Sequence, residues 1–357
     1  MPRSNPRSGR RQSRRRGATP VTLRDVARAV RVAASTVSRA LAGDARISPA
    51  TRREVERAAR RLGYAPNALA RGLAGGGADV LAVVVPRTAE YTFTSPFHLA
   101  ALKGVSRVLQ ESGHLLLLSF LEDRDYVALH RSGLCRGVIV LMSRVGDRRI
   151  AALARHRVPT VLIPGDSSLP VTSLTFDVAG STAAATRHLL ALGHRLIGFI
   201  GGVPSSLLHR DRLAAFRQVL ISSGVPVEAA LEAETNFTAA EAYERALDLL
   251  RRPQRPTALL CSNDVMTDAA LAAAQHLGLT VPEELSLVSL AGLPGPRPAA
   301  PALARVILDF EQAGATAATL LLKLVADPAA PAEAVLLPAE FDPRGSIAPP
   351  AVRPAGG

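Results

Sequence analysis

Apolar positions along this chain show two textures. Over residues 21–63 they recur at helical spacing. Leu23, Val26, Ala27 and Val30 share one face of a first helix, opened by Thr22 and Asp25 as a capping box. Val37 and Leu41 share a face of a short second helix within 32–41. Ser48-Pro49 gives an N-cap and a first-turn proline to a third helix, which Gly63 stops. Past the glycine-rich joint at 74–79, short apolar runs alternate with amphipathic stretches. Strands are expected at 80–85, 114–120, 137–142, 160–163, 196–200, 258–261, 285–290 and 306–308. Helices are expected at 99–111, 180–192, 211–222, 239–250, 265–277 and 311–325. Alternating strands and helices imply parallel sheets covered by helices. About ten strands are more than one compact sheet of this size holds, so two lobes are expected. The predicted class is α/β: an all-α headpiece at 21–63 and a two-lobed core at 79–345.

Charge separates the same two parts. The net charge is +13 over 357 residues, and residues 1–77 hold 18 Arg against four acids, Asp25, Asp44, Glu54 and Glu56. The rest carries 25 basic and 26 acidic residues. A basic module on a near-neutral body points to a polyanionic partner at one end. Residues 1–20 read as a disordered basic arm, and the Pro- and Gly-rich 346–357 as a disordered tail. Two distant cysteines, Cys135 and Cys261, suit a reducing compartment and offer no metal spacing. The arginines at the start lead into no apolar stretch, and no run of 18 apolar residues exists, so a cytoplasmic protein is expected.

Helix, tight turn and helix within 22–41 have the length of a helix-turn-helix, which lays its second helix in the major groove of DNA. Ala34, Ser35 and Arg39 then face base edges. Arg39 can fork onto guanine O6 and N7, at about 1–3 kcal/mol of discrimination, and Ala34 offers a methyl contact to thymine. Thr22, Thr36 and Ser38 are short hydroxyls suited to phosphate oxygens, which position the protein without reading sequence. A small helical bundle with a solvated basic face is the plainer reading of the same residues.

The stretches VTLRDVARAVRVAASTVSRALAG and SPATRREVERAARRLGYAPNALARGLA resemble the opening of lactose/galactose-repressor family regulators. The resemblance extends through LAVVVP at 81–86, HLLALGHRLIGFIGG at 188–202, PTALLCSND at 256–264 and GLTVPEELSLVSLAG at 278–292. It implies a periplasmic-binding-protein-like core with a ligand cleft between two lobes, lobe 1 at about 79–176 and 309–334, lobe 2 at about 177–308 and 335–345. It also implies a hinge within 64–78 that becomes a short helix on operator DNA, with Ala70 and Leu73 at the minor groove. An apolar wedge there unstacks one base step and bends the duplex. Two-fold protein symmetry then calls for a pseudo-palindromic operator, and a tail without heptads for a homodimer, not a tetramer.

Several positions depart from the family pattern. Its turn glycine is Arg31, its second-helix Ser cap is Ala33, and Gly72 lies inside the hinge helix. In the core, the cleft residues the resemblance implies are Arg87, Phe97, Arg212, Asn263 and Asp264. Arg212 and the pair Asn263-Asp264 match the pattern. Arg87 replaces an aspartate, the NPFF stretch reads Ser95-Pro96-Phe97-His98, the DN pair reads Asp177-Val178, and an acidic pair reads Ala291-Gly292. Four residues are inserted near 90–94. A cleft that lost acceptors and gained an arginine suits a small anionic or weakly polar effector, or none at all, better than a neutral sugar. An enzyme is not expected: no GxGxxG follows a strand, and neither HExxH nor GxSxG occurs. No cofactor and no metal are expected. The alternatives are a ligand-independent regulator of this fold and, further off, a cytoplasmic small-molecule-binding protein.

Overall fold

A computed structural model describes residues 21–41, 43–64, 79–120, 125–165, 169–295 and 302–351. The expected basic arm, Ala70, Leu73, Gly72 and the end of the tail lie outside them. The chain divides into two units, Met1–Gly75 and Gly76–Gly357.

In the first unit, α1 (Leu23–Val30), α2 (Ala34–Leu41) and α3 (Pro49–Leu62) close on a small core of Val26, Ala27, Val37, Ala40, Val55, Ala58 and Ala59. The start and stop signals act as the sequence predicts. Ser48 Oγ accepts from Thr51 N, and Gly63 takes the left-handed conformation at φ 68°. Asp25 closes the first turn of α1 by accepting from Thr22 N at 2.9 Å and from Thr22 Oγ1 at 2.7 Å. Arg31 ends α1 at φ 52°, ψ 40°, the left-handed region that favours glycine. The turn therefore keeps its geometry despite the substitution, and the backbone carries the cost.

The second unit holds two six-stranded sheets. Lobe 1 is ordered β11-β5-β4-β3-β1-β2, with β1 (Val80–Val84), β2 (Leu115–Ser119), β3 (Gly137–Leu141), β4 (Thr160–Ile163), β5 (Thr172–Phe176) and β11 (Ala334–Leu337), all pairs parallel. Its helices are α4 (Ala89–Thr94), α5 (Pro96–Glu111), α6 (Tyr126–Arg131), α7 (Arg148–Arg155) and α12 (Phe310–Ala326). Lobe 2 is ordered β12-β10-β9-β8-β6-β7, with β6 (Ile197–Gly201), β7 (Glu232–Glu234), β8 (Ala258–Cys261), β9 (Ser286–Gly292), β10 (Ala304–Ile307) and β12 (Glu340–Asp342). Only β12 runs antiparallel to its neighbour. Its helices are α8 (Val178–Ala191), α9 (Leu207–Ser222), α10 (Ala239–Leu250) and α11 (Asp264–His276). Central strands buried on both faces explain the continuous apolar runs. Gly104 of α5 and Gly314 of α12 face each other's helix backbone so closely that a side chain at either would force the helices apart.

Two boundaries move relative to expectation. Residues 335–337, expected in lobe 2, continue a strand that begins at Ala334 and pairs with β5 of lobe 1, from Ala334 opposite Ser173 to Leu337 opposite Phe176. The last crossing between lobes therefore falls between β11 and β12. Of the segment expected to be a disordered tail, residues 346–348 are packed. Ser346 is wholly buried; its Oγ donates to Leu287 O at 2.6 Å and accepts from Ala304 N at 2.7 Å. Ala348 O accepts from Ser286 Oγ at 3.1 Å and lies 2.9 Å from His194 Nε2. This segment is held by backbone groups, Ser346 and the single apolar side chain of Ile347, so it needs no apolar periodicity.

Candidate functional site

The headpiece presents one short helix. Val37 and Ala40 point α2 into the core, which leaves Ser35 and Arg39, four residues apart, on the exposed face. Ala34, Thr36 and Ser38 flank that face half-buried. Ala33 cannot cap the helix with a side chain, and its carbonyl alone receives Thr36 N at 2.9 Å and Val37 N at 3.1 Å. Thr22 departs from the expected role in one respect. Both its backbone N–H and its hydroxyl donate to Asp25, whose carboxyl is held below its ordinary range by these bonds. A phosphate at Thr22 would have to displace that carboxylate.

In the core, parallel strands put their C-terminal ends, and hence the N-termini of the helices that follow, at the crevice between the lobes. Ser95, Ser206 and Asn263 are the N-caps of α5, α9 and α11, and Phe310 is the first residue of α12; all four line one cavity. Four helix dipoles thus present their positive ends there. The cavity leaves about 80 Å³. The lobes also meet at its margin, where Val145 N donates to Ser205 O at 3.0 Å and Arg144 bridges Ser206.

Arg87, Phe97, Arg212 and Asn263, which the resemblance places in the cleft, line this cavity. Asp264 does not. It turns toward Arg305, with Nη1 3.7 Å from Oδ2, and the missing side chain of Gly292 leaves room for that pair. The acid expected in the cleft is therefore taken up by an arginine 41 positions later. Sequence reasoning missed Tyr91, His98, Arg144, Phe237 and Ser262, which also line the cavity. Tyr91 comes from α4, formed by the inserted residues.

The chemistry of the wall is one-sided. It carries Arg87, Arg144 and Arg212, and no carboxylate among the described residues. Arg212 is 2% exposed; its guanidinium donates to Leu290 O at 3.1 Å, and its Nε has no partner. Burial pushes its pKa down to about 10, so it remains a cation. Arg144 donates to Pro86 O at 3.1 Å and likewise keeps an unpartnered Nε. Ser262 Oγ and both ring nitrogens of His98 are buried without partners. Such groups cost free energy unless something meets them. Met142 at φ 59° and Phe237 at φ 64° add backbone strain to the same wall, and Gly202 leaves the space that the Phe237 ring fills.

Residues 22–67 match the family model for bacterial regulatory proteins of the lacI family, and residues 186–347 match that for a periplasmic binding protein-like domain. The chain is 31% identical to the HTH-type transcriptional repressor CytR of Escherichia coli K12, over 76% of this chain and 80% of that protein. It is 28% identical to catabolite control protein A of Priestia megaterium, over 91% of this chain and 99% of that protein. Among solved structures, the lac repressor dimer bound to operator and an anti-inducer matches with a TM-score of 0.76 at 26% identity, over 92% of this chain and 100% of that one.

Proposed function

The chain belongs to the LacI family of bacterial regulatory proteins and is a DNA-binding transcriptional regulator; on that premise we propose that it represses from a pseudo-palindromic operator as a homodimer, tuned by a small anion in the inter-lobe cleft. On DNA, Ala34, Ser35 and Arg39 read bases, Thr22, Thr36 and Ser38 meet phosphates, and Ala70 and Leu73 enter the minor groove. The protein acts beside the nucleoid in the cytoplasm, and we assign it no catalytic step and no cofactor. Among the described residues, no helix is long and apolar enough to cross a membrane.

One observation carries the anion. Three arginines and four helix N-termini face the cavity, and no carboxylate lines it among the described residues. A neutral sugar needs acceptors for its hydroxyls, and each hydroxyl buried without one costs about 1–3 kcal/mol. Two or three such losses remove most of the roughly 8 kcal/mol of a micromolar complex. An oxyanion instead gains charge-assisted hydrogen bonds from Arg87, Arg144 and Arg212. Calorimetry on the full-length chain with matched neutral and phosphorylated sugars tests this. The expected result is binding of anions only, abolished in Arg212→Ala. Tight binding of glucose or ribose overturns it. Silence across the panel favours control without a small ligand, a reading that the inter-lobe hydrogen bond also suits.

A further inference from the structure

The anion reading leaves one group in the cleft unexplained. His98 sits on the buried face of α5, 3% exposed, with neither Nδ1 nor Nε2 hydrogen-bonded. Burial, then the charge of Arg87, push its pKa down to about 4, so the ring is neutral near pH 7. A neutral imidazole has one N–H and one bare nitrogen. Oxygens of a carboxylate or phosphate satisfy the N–H but give the bare nitrogen nothing, because they carry no proton. The bare nitrogen requires a donor on the ligand, and an ammonium is disfavoured beside three arginines. The ring is also held in place. Tyr91 of α4 meets it edge-on at 5.6 Å, and the Arg87 guanidinium lies over Tyr91 at 5.2 Å. The buried Ser262 hydroxyl is a second unpartnered group that both donates and accepts.

Resting on the anion reading above, we propose that His98 determines specificity in this cleft by accepting a hydrogen bond from a hydroxyl of the effector, which is a small hydroxyl-bearing oxyanion. The space of about 80 Å³ suits a short molecule and not a two-ring base. Carboxylate and phosphate share this chemistry, and paired probes separate them: glycerate against propionate, and glycerol 3-phosphate against propyl phosphate, each titrated calorimetrically into the full-length chain. Orotate serves as an anion that offers ring N–H groups instead of hydroxyls. The wild-type chain is expected to prefer the hydroxylated member of at least one pair by about tenfold, the worth of one well-made hydrogen bond. His98→Phe keeps an aromatic ring, somewhat larger and without nitrogens, and should bring both members within about threefold while the deoxy anion still binds. His98→Gln, which retains an acceptor, should recover part of the preference and serves as the test if His98→Phe melts early. Equal binding of both members in the wild type, a preference unchanged in His98→Phe, or orotate binding above all four probes overturns the His98 assignment and leaves the anion reading standing. Silence with all five probes overturns both.

Discussion

The turn of the helix-turn-helix carries two local defects, and each has a calculable consequence. Arg31 holds φ 52°, ψ 40° with its side chain exposed, so Arg31→Gly removes no packed group. The left-handed conformation costs a non-glycine residue about 1–2 kcal/mol. Glycine returns about 0.4–1 kcal/mol of that as extra freedom of the unfolded chain. With the middle of each range, the net expectation is a gain of about 0.8 kcal/mol. Ala33→Ser supplies the missing cap of α2 and should add about 0.5–2 kcal/mol. The two sites share one turn, so their effects need not add. Hydrogen exchange by mass spectrometry on the full-length chain reads this locally. Amides of α1 and α2 should exchange about two- to fivefold more slowly in Arg31→Gly, with core peptides unchanged. Exchange that is unchanged or faster in both variants would refute the claim that the substituted turn stores strain.

Two further outcomes are expected. Arg39→Ala should relax preference at one guanine per half-site by about 1–3 kcal/mol, whereas Arg14→Ala with Arg15→Ala should weaken specific and random DNA alike and flatten the salt dependence; equal effects of the two changes in a titration by anisotropy would take base reading away from Arg39. The core should lose stability as pH falls from about 6.5 toward 4. His98 and His209 are both pushed down to about 4, by burial first and neighbouring arginines next. Above 6.5 each imidazole is neutral whether folded or unfolded, and between those values only the unfolded chain binds the protons. Melting temperatures of the core that stay flat from pH 7 to 5 would contradict this.

The sequence revealed the parts of the fold that repeat a local signal. The helix expected at 239–250 is α10 to the residue, and the strand expected at 258–261 is β8. The helix expected from 99 begins at Pro96, because Ser95 caps it. Strands at or beside a sheet edge mostly escaped notice. β5, next to the edge, reads TSLTF, and the edge strand β11 alternates exposed with half-buried positions, so neither forms an apolar run. Each β11 residue also lies 161 positions from its β5 partner, and no local pattern encodes that pairing. The cleft divides in the same way. Arg87, Phe97, Arg212 and Asn263 follow from position within a recognised pattern. Asp264 was misplaced because Arg305, which draws it aside, is set by the register of another strand. His98 was visible only as a departure from a motif, since its significance depends on what fails to reach its two nitrogens.

This chain is expected to find a two-fold operator through α2 and to act there as a dimer. In vitro selection of full-length protein on a random DNA library, followed by sedimentation of the complex on the recovered sequence, tests it most directly. The expected result is an inverted repeat with a guanine in each half-site and two chains per duplex. A single asymmetric half-site, a stable monomer on DNA, or no enrichment over the starting library would contradict it.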